Sequence, residues 1–199
     1  MKEIADRIYT VEEYFALVEE SDQKLEYHYG RIYAMAGGNS NHSIIGTNIR
    51  RRLSEKLDHT DCVVYDSDMA LSLESGNRYV YPDGMVVCGE RDFTNAQQTQ
   101  LKNPVLIVEV LSKSTKTYDR TDKFRFYRAI PSLKEYLIIS SDMPLIETFF
   151  KQEEGLWRIG SAKGLDDSIS VFSFDLEIPL AQIYAKTESL EDPDQFLQK

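Results

Sequence analysis

The chain has 199 residues, 42% of them apolar and 28% charged, with a formal net charge of −10 at pH 7. That length suits one domain with a central sheet and helices on it, and the composition excludes collagen, coiled coil and a wholly disordered chain. The negative balance argues against strong indiscriminate attraction to nucleic acid, which clustered Lys and Arg drive. No apolar run approaches the roughly 20 residues that span a bilayer, and residues 1–6 lack the apolar stretch of a secretory signal, so a cytoplasmic protein without membrane contact is expected. Thr10-Val11-Glu12-Glu13 opens a helix to about Glu20, with Thr10 as N-cap and Glu13 completing a capping box. Lys24–Tyr29 and Arg31–Ala36 flank Gly30 and read as a pair of strands, the first carrying Glu26. Gly37–Asn41 reads as a flexible loop, and His42–Leu57 as a basic amphipathic helix with Ile45, Ile49, Leu53 and Leu57 on one face. Strands follow at Cys62–Tyr65, Met69–Leu73, Tyr79–Val87 and Val105–Leu111. The polar stretch Gly89–Lys102 between the last two is a candidate substrate-facing flap. Tyr118–Arg128 reads as a helix and Glu135–Ile139 as a strand. Ile146–Lys151, Leu156–Gly160 and Ser168–Phe174 read as an antiparallel extension with Gly155 in a turn, before a polar tail at residues 187–199.

This order predicts one α/β sandwich domain over residues 1–199, its core at about 9–184, with a central mixed sheet flanked by helices. Such a class assigns no reaction by itself. Chemistry enters with two acids inside apolar runs: Asp83 follows Pro82 within Tyr79–Val87, and Glu109 lies within Val105–Leu111. Burying an ionised acid costs several kcal/mol unless cations or hydrogen bonds compensate it, so the two together suggest a shared divalent ion. The plainer reading of each is a buried acid paired with arginine. Lys123 is the nearest candidate for the cation that phosphodiester cleavage needs beside the attacking water; its plainer reading is a surface pair with Asp119 at i, i+4, worth a few tenths of a kcal/mol.

Charge is unevenly spread. Residues 112–134 carry seven basic side chains (Lys113, Lys116, Arg120, Lys123, Arg125, Arg128, Lys134) against two acidic ones, and Arg50-Arg51-Arg52 with Lys56 forms a second cluster. Residues 141–199 carry twelve acids against five bases. Cys62 and Cys88 are the two cysteines, flanked by valines, and read as buried free thiols; a zinc site from two isolated cysteines is not expected. No serine elbow, P-loop or dinucleotide fingerprint is present.

These residues resemble the PD-(D/E)xK restriction-endonuclease-like nucleases, and within them the Uma-two family, long listed as a domain of unknown function. The likeness runs from roughly Tyr9 to Tyr184. It rests on Tyr9-Thr10-Val11-Glu12-Glu13-Tyr14, Leu25-Glu26 and Gly30, His42-Ser43, Tyr81-Pro82-Asp83, Pro104 through Glu109-Val110-Leu111-Ser112 with Ser114-Thr115, Asp119 with Lys123 and Tyr127, and Pro131 with Glu135-Tyr136. The resemblance implies a restriction-endonuclease-like fold. It also implies Asp83 and Glu109 as ligands of Mg²⁺ or Mn²⁺, with the backbone carbonyl of Leu111 beside the ion. The superfamily pattern has lysine two residues after the second acid, where this chain has Leu111. In the Uma-two branch that lysine has moved to the next helix, and Lys123 matches the migrated position; its four methylenes give it the reach. Glu26 matches an acid near the site that could bind a second metal, hold a metal-bound water or pair with Lys123. His42, Asp119, Arg120 and Tyr127 are candidates for substrate contact or support of the ligands, although Tyr127 also reads as core.

The implied activity is metal-dependent hydrolysis of DNA by a homodimer, without a covalent intermediate. The rival from another class is an inert nuclease-fold module that binds nucleic acid or a regulatory partner, suggested by Leu111 and by the acidic balance. A glycosidase carboxylate pair is a third reading, which the adjacent lysine and basic helix fit less well than a phosphate.

Overall fold

The structure, a computed structural model, describes residues 2–35, 37–111 and 123–194, with Lys2 and Ser75 described by their backbone alone. Two compact units make it up: one of residues 1–37, 67–82 and 92–102, the other of residues 38–66, 83–91 and 103–199.

In the first unit, helix α1 (Val11–Glu20) starts at Thr10, whose side chain accepts the Glu13 N–H while the Glu13 carboxylate accepts the Thr10 N–H, the expected capping box. Its inward residue Tyr14 is fully buried and donates its hydroxyl to the Leu25 carbonyl at 2.8 Å. Beneath lies a six-stranded sheet of β1 (Lys2–Glu3), β3 (Arg31–Ala34), β2 (Leu25–His28), β6 (Arg78–Val80), β5 (Ala70–Leu73) and β8 (Gln100–Leu101), in that order. Tyr14, Tyr27 and Tyr79 stack between helix and sheet, with centroids 5.2 and 5.6 Å from Tyr14. The β2–β3 turn runs through Tyr29 and Gly30, both at positive φ, which explains the glycine there. Within the polar stretch 89–102, β8 pairs in parallel with β5 and fully buries Leu101, so this end of the predicted flap is part of the sheet.

The second unit is built on a mixed sheet ordered β12 (Trp157–Lys163), β11 (Leu145–Lys151), β10 (Glu135–Ser140), β9 (Leu106–Leu111), β7 (Gly84–Cys88) and β4 (Cys62–Tyr65). β9 and β10 are parallel and every other pair is antiparallel. β12 is the outermost strand, paired with β11 over seven consecutive residues without a bulge, and it leaves Ile159 64% exposed. Helix α2 (Ser40–Leu57) lays Ile45, Ile49, Leu53 and Leu57 onto Val86, Leu106, Val108 and Val110. Each such side chain contributes about 1.5–3 kcal/mol on burial. The same core takes in the hairpin β13 (Ser168–Val171) and β14 (Leu176–Pro179) and a closing turn at Leu180–Ile183. The Glu135 carboxylate, fully buried, accepts from Thr148, from the Phe172 and Ser173 amides and from the Ser173 hydroxyl, pinning the turn that follows β13.

The predicted mixed α/β architecture with an antiparallel C-terminal extension is the one found, with local corrections. The run Tyr79–Val87 is two strands, β6 in one sheet and β7 in the other, because Pro82 has no N–H to give a ladder. Asp83 therefore sits at the break and not within a strand. Helix α2 begins at Ser40, two residues early, because the Asn39 side chain caps it by accepting the His42 N–H. Cys62 and Cys88 are joined in a disulfide and are not free thiols: the β4–β7 register sets them directly opposite each other, with Cα atoms 3.9 Å apart. Lastly, β14 and the turn at Leu180–Ile183 were not predicted, since four-residue segments carry too short a pattern to be read. The helix predicted over 118–128 is a single turn, Phe124–Tyr127, in its described part; its earlier residues lie outside the described residues. Among the described residues no helix is long and apolar enough to cross a membrane.

Candidate catalytic site

Antiparallel pairing of β7 with β9 sets Gly84 opposite Val108, and continuing that register by one step sets Asp83 opposite Glu109. Residues opposite each other in such a pair share a face, which is how a loop acid and a strand acid come together. The Asp83 Oδ2 accepts the Val110 N–H at 2.8 Å, filling the place in the ladder that the departing chain leaves open, and lies 3.2 Å from His42 Nε2. Burial by itself pushes the Asp83 carboxyl up, but the His42 contact, the Val110 amide and the charge of Lys123 outweigh it and hold the group below the ordinary carboxylate value.

Glu109 is 4% exposed, in the middle of β9. Its Oε1 accepts from Lys123 Nζ at 2.9 Å and from the Tyr127 hydroxyl at 2.8 Å. Lys123 and Tyr127 are four residues apart on a helical backbone, so both side chains leave the same face. The turn carrying them is held by Phe124, whose ring meets Tyr136, Phe149 and Trp157 on β10, β11 and β12. Lys123 is itself only 6% exposed, so its pair with Glu109 is a buried one; Asp119, the other partner its spacing allowed, lies outside the described residues.

Helix α2 supplies the other wall. His42, Gly46 and Arg50 follow one another at four-residue intervals, and the Arg50 guanidinium donates to the Asp83 carbonyl at 2.7 Å. Two glycines make the room. A Cβ at Gly46 would come within 3.1 Å of Arg50 Nη1, and one at Gly38 within 2.5 Å of the His42 ring. Sequence reasoning placed Arg50 only in a basic cluster and gave Gly38 and Gly46 no part. The signal for Arg50 and Gly46 was their spacing from His42; a glycine needed for space leaves no such signature.

Of the remaining predicted site residues, the Leu111 carbonyl accepts the Ser141 N–H at 3.1 Å at the ends of β9 and β10. Asp119 and Arg120 lie outside the described residues. Glu26 belongs to the first unit, where it is fully buried; its Oε1 accepts the Tyr81 N–H at 3.4 Å and its Oε2 lies 3.2 Å from His28 Nε2. The structure thus brings together Asp83, Glu109, Lys123, Tyr127 and His42. Two carboxylates opposite each other in register are hard oxygen donors of the kind that hold Mg²⁺ or Mn²⁺, so these residues fit such an ion.

Similarity to known proteins follows the same outline. Residues 11–181 match the family Uma2, described as "Putative restriction endonuclease". Two curated relatives from Synechocystis sp. are the uncharacterized protein slr1290, 37% identical over 87% of this chain and 90% of its own, and the uncharacterized protein sll1609, 36% identical over 84% and 94%. A crystal structure from Anabaena variabilis, described as "a putative nuclease belonging to DUF820", superposes with a TM-score of 0.65 at 15% identity, covering 88% of this chain and 97% of that one.

Proposed function

The chain belongs to the Uma2 family, and from its paired carboxylates we propose that it is a divalent-metal-dependent endonuclease that hydrolyses phosphodiester bonds in DNA, of PD-(D/E)xK type with a displaced lysine. The observation that carries the reading is the convergence of Lys123 and Tyr127 on Glu109, with Asp83 opposite it in register. Asp83 and Glu109 would hold Mg²⁺ or Mn²⁺, with the Leu111 carbonyl beside it. Such an ion, when bound, polarises a phosphate oxygen and acidifies a coordinated water.

The protein's own groups do the rest. Asp83 is kept ionised by His42 and by the Val110 amide, ready to accept a cation. Lys123 supplies a buried positive charge beside Glu109, where it orients the attacking water and offsets charge developing on the phosphate. Tyr127 gives Glu109 a second donor, so the carboxylate keeps its direction when the ammonium turns towards substrate. Arg50 anchors the Asp83 backbone from helix α2. Because cutting a duplex requires attack on two strands, the working assembly is a homodimer, which light scattering at assay concentration checks.

A second reading, an inert module that keeps the fold and binds nucleic acid or a partner, is favoured by Leu111 standing where the superfamily pattern has lysine. Cleavage of supercoiled plasmid and of single-stranded DNA in Mg²⁺ or Mn²⁺ separates the two, with EDTA and the variants Asp83→Ala and Lys123→Ala alongside. Metal-dependent cutting lost in both variants is the expected result. An absence of cutting in every condition, with no shift in melting temperature on adding metal, would transfer the assignment to the inert module.

A further inference from the structure

Away from the Asp83 and Glu109 pair, one cluster of metal-ligating side chains among the described residues remains without a role. Asp61, Cys62 and Cys88 bring one ligand atom each within 4.8 Å of one another. We propose that Cys62 and Cys88 are a reversible thiol–disulfide pair whose reduced form, together with Asp61, binds a thiophilic divalent cation of the zinc type.

The sheet builds this arrangement before any ion arrives. Cys62 and Cys88 are the end pair of the β4–β7 ladder, whose register is continued by Val63 opposite Val87, Val64 opposite Val86 and Tyr65 opposite Met85. Breaking the sulfur–sulfur bond therefore leaves both thiols on the same face of two strands that stay paired. The Thr60 hydroxyl accepts the Cys62 N–H at 3.1 Å and holds the start of β4 in place. Asp61 completes the set: its Oδ1 lies 3.9 Å from Cys62 Sγ, and its Oδ2 would be 3.7 Å from a Cβ at Gly89. The carboxylate thus spans the ends of both strands. It makes no ion pair among the described residues, so a negative charge stands beside two sulfurs with no cation to meet it. Cys62 and Cys88 are each partly exposed, and β4 is the last strand of its sheet, so a small reductant and an ion both have access.

Two thiolates and one carboxylate are three ligands for a tetrahedral ion that prefers sulfur and nitrogen, with a water in the fourth place. They differ from the hard-oxygen pair of Asp83 and Glu109, which suits Mg²⁺ or Mn²⁺, so the two sites take different metals. The states exclude each other. A dithiol reductant gives two electrons and two protons to the disulfide and is itself oxidised to a disulfide; the two thiols then release two protons as the cation binds.

Cobalt(II) is the probe, because thiolate coordination gives it a charge-transfer absorption that carboxylates cannot produce. The full chain with Asp83→Ala, which removes the hard-oxygen site, is titrated with Co²⁺ after reduction by a phosphine and again in its oxidised form. The expected result is one Co²⁺ per chain with the thiolate band in the reduced protein, no band in the oxidised protein, and displacement by Zn²⁺. Cys88→Ser should abolish the band, and Asp61→Asn should weaken binding while the sheet, followed by circular dichroism, stays folded. A disulfide that resists reduction in the folded chain would overturn the proposal. So would a reduced chain without the band, or a band that survives Cys88→Ser.

Discussion

The pairing of Lys123 with Glu109 is a buried ion pair, and such pairs are costly to break because the surviving partner keeps its charge without water. Lys123→Ala should lower stability by about 3 kcal/mol in EDTA, since Glu109 then loses the cation that neutralises it in the buried pair. If the same pocket accepts a divalent ion, Mg²⁺ or Mn²⁺ should raise the melting temperature of this variant more than that of the wild type; equal shifts would argue against a shared pocket. Tyr127→Phe is a gentler change, removing one hydrogen bond at a cost of about 1 kcal/mol. Its effect on cleavage should exceed that figure if the tyrosine keeps Glu109 aligned, which thermal denaturation and plasmid cleavage compare directly. Gly38→Ala tests the other side. The new methyl would lie within 2.5 Å of the His42 ring, so the imidazole must leave Asp83, and cleavage should fall while the fold, followed by circular dichroism, persists.

How much could be read in advance depended on how far a pattern reached along the chain. Helix α2 was legible because Ile45, Ile49, Leu53 and Leu57 repeat at four-residue intervals, and all four are buried. Leu53→Ala, in the middle of that face and fully buried, should cost about 2–5 kcal/mol, measurable by chemical denaturation. The run Tyr79–Val87 was misread because hydrophobicity is continuous across Pro82, while the ladder is not: a strand needs N–H groups, and apolar character does not report them. Asp83 and Glu109 stood out as acids in apolar surroundings, and Lys123 as the nearest candidate cation, a choice the resemblance then matched. Their convergence with Tyr127 and His42 depends on register and on a single helical turn, and neither is written in composition. The disulfide was missed for the same reason, since 26 residues separate the cysteines and only pairing of β4 with β7 makes them neighbours.

In each of the two units a buried tyrosine hydroxyl is held on backbone carbonyls, Tyr14 on that of Leu25 and Tyr184 between those of Ser140 and Leu145. Burial raises both hydroxyls well above the ordinary tyrosine value. With the folded values raised, the stabilisation is complete below the unfolded value near pH 10 and is lost as pH climbs above it, because only the unfolded chain then gives up the protons. Stability should therefore hold up to about pH 10 and decline beyond it, with Tyr14→Phe and Tyr184→Phe each blunting that decline in a denaturant series. At the other extreme of charge, the outermost strand β12 sets the behaviour in solution. Its seven-residue ladder ends in a row of outward-facing amides and carbonyls beside the exposed Leu156 and Ile159, the kind of edge from which strands of neighbouring copies can grow. The surplus of negative charge keeps copies apart at neutral pH, and it vanishes near the isoelectric point of about 4.8. Turbidity should rise steeply there, and a single lysine in place of Ile159 should delay it.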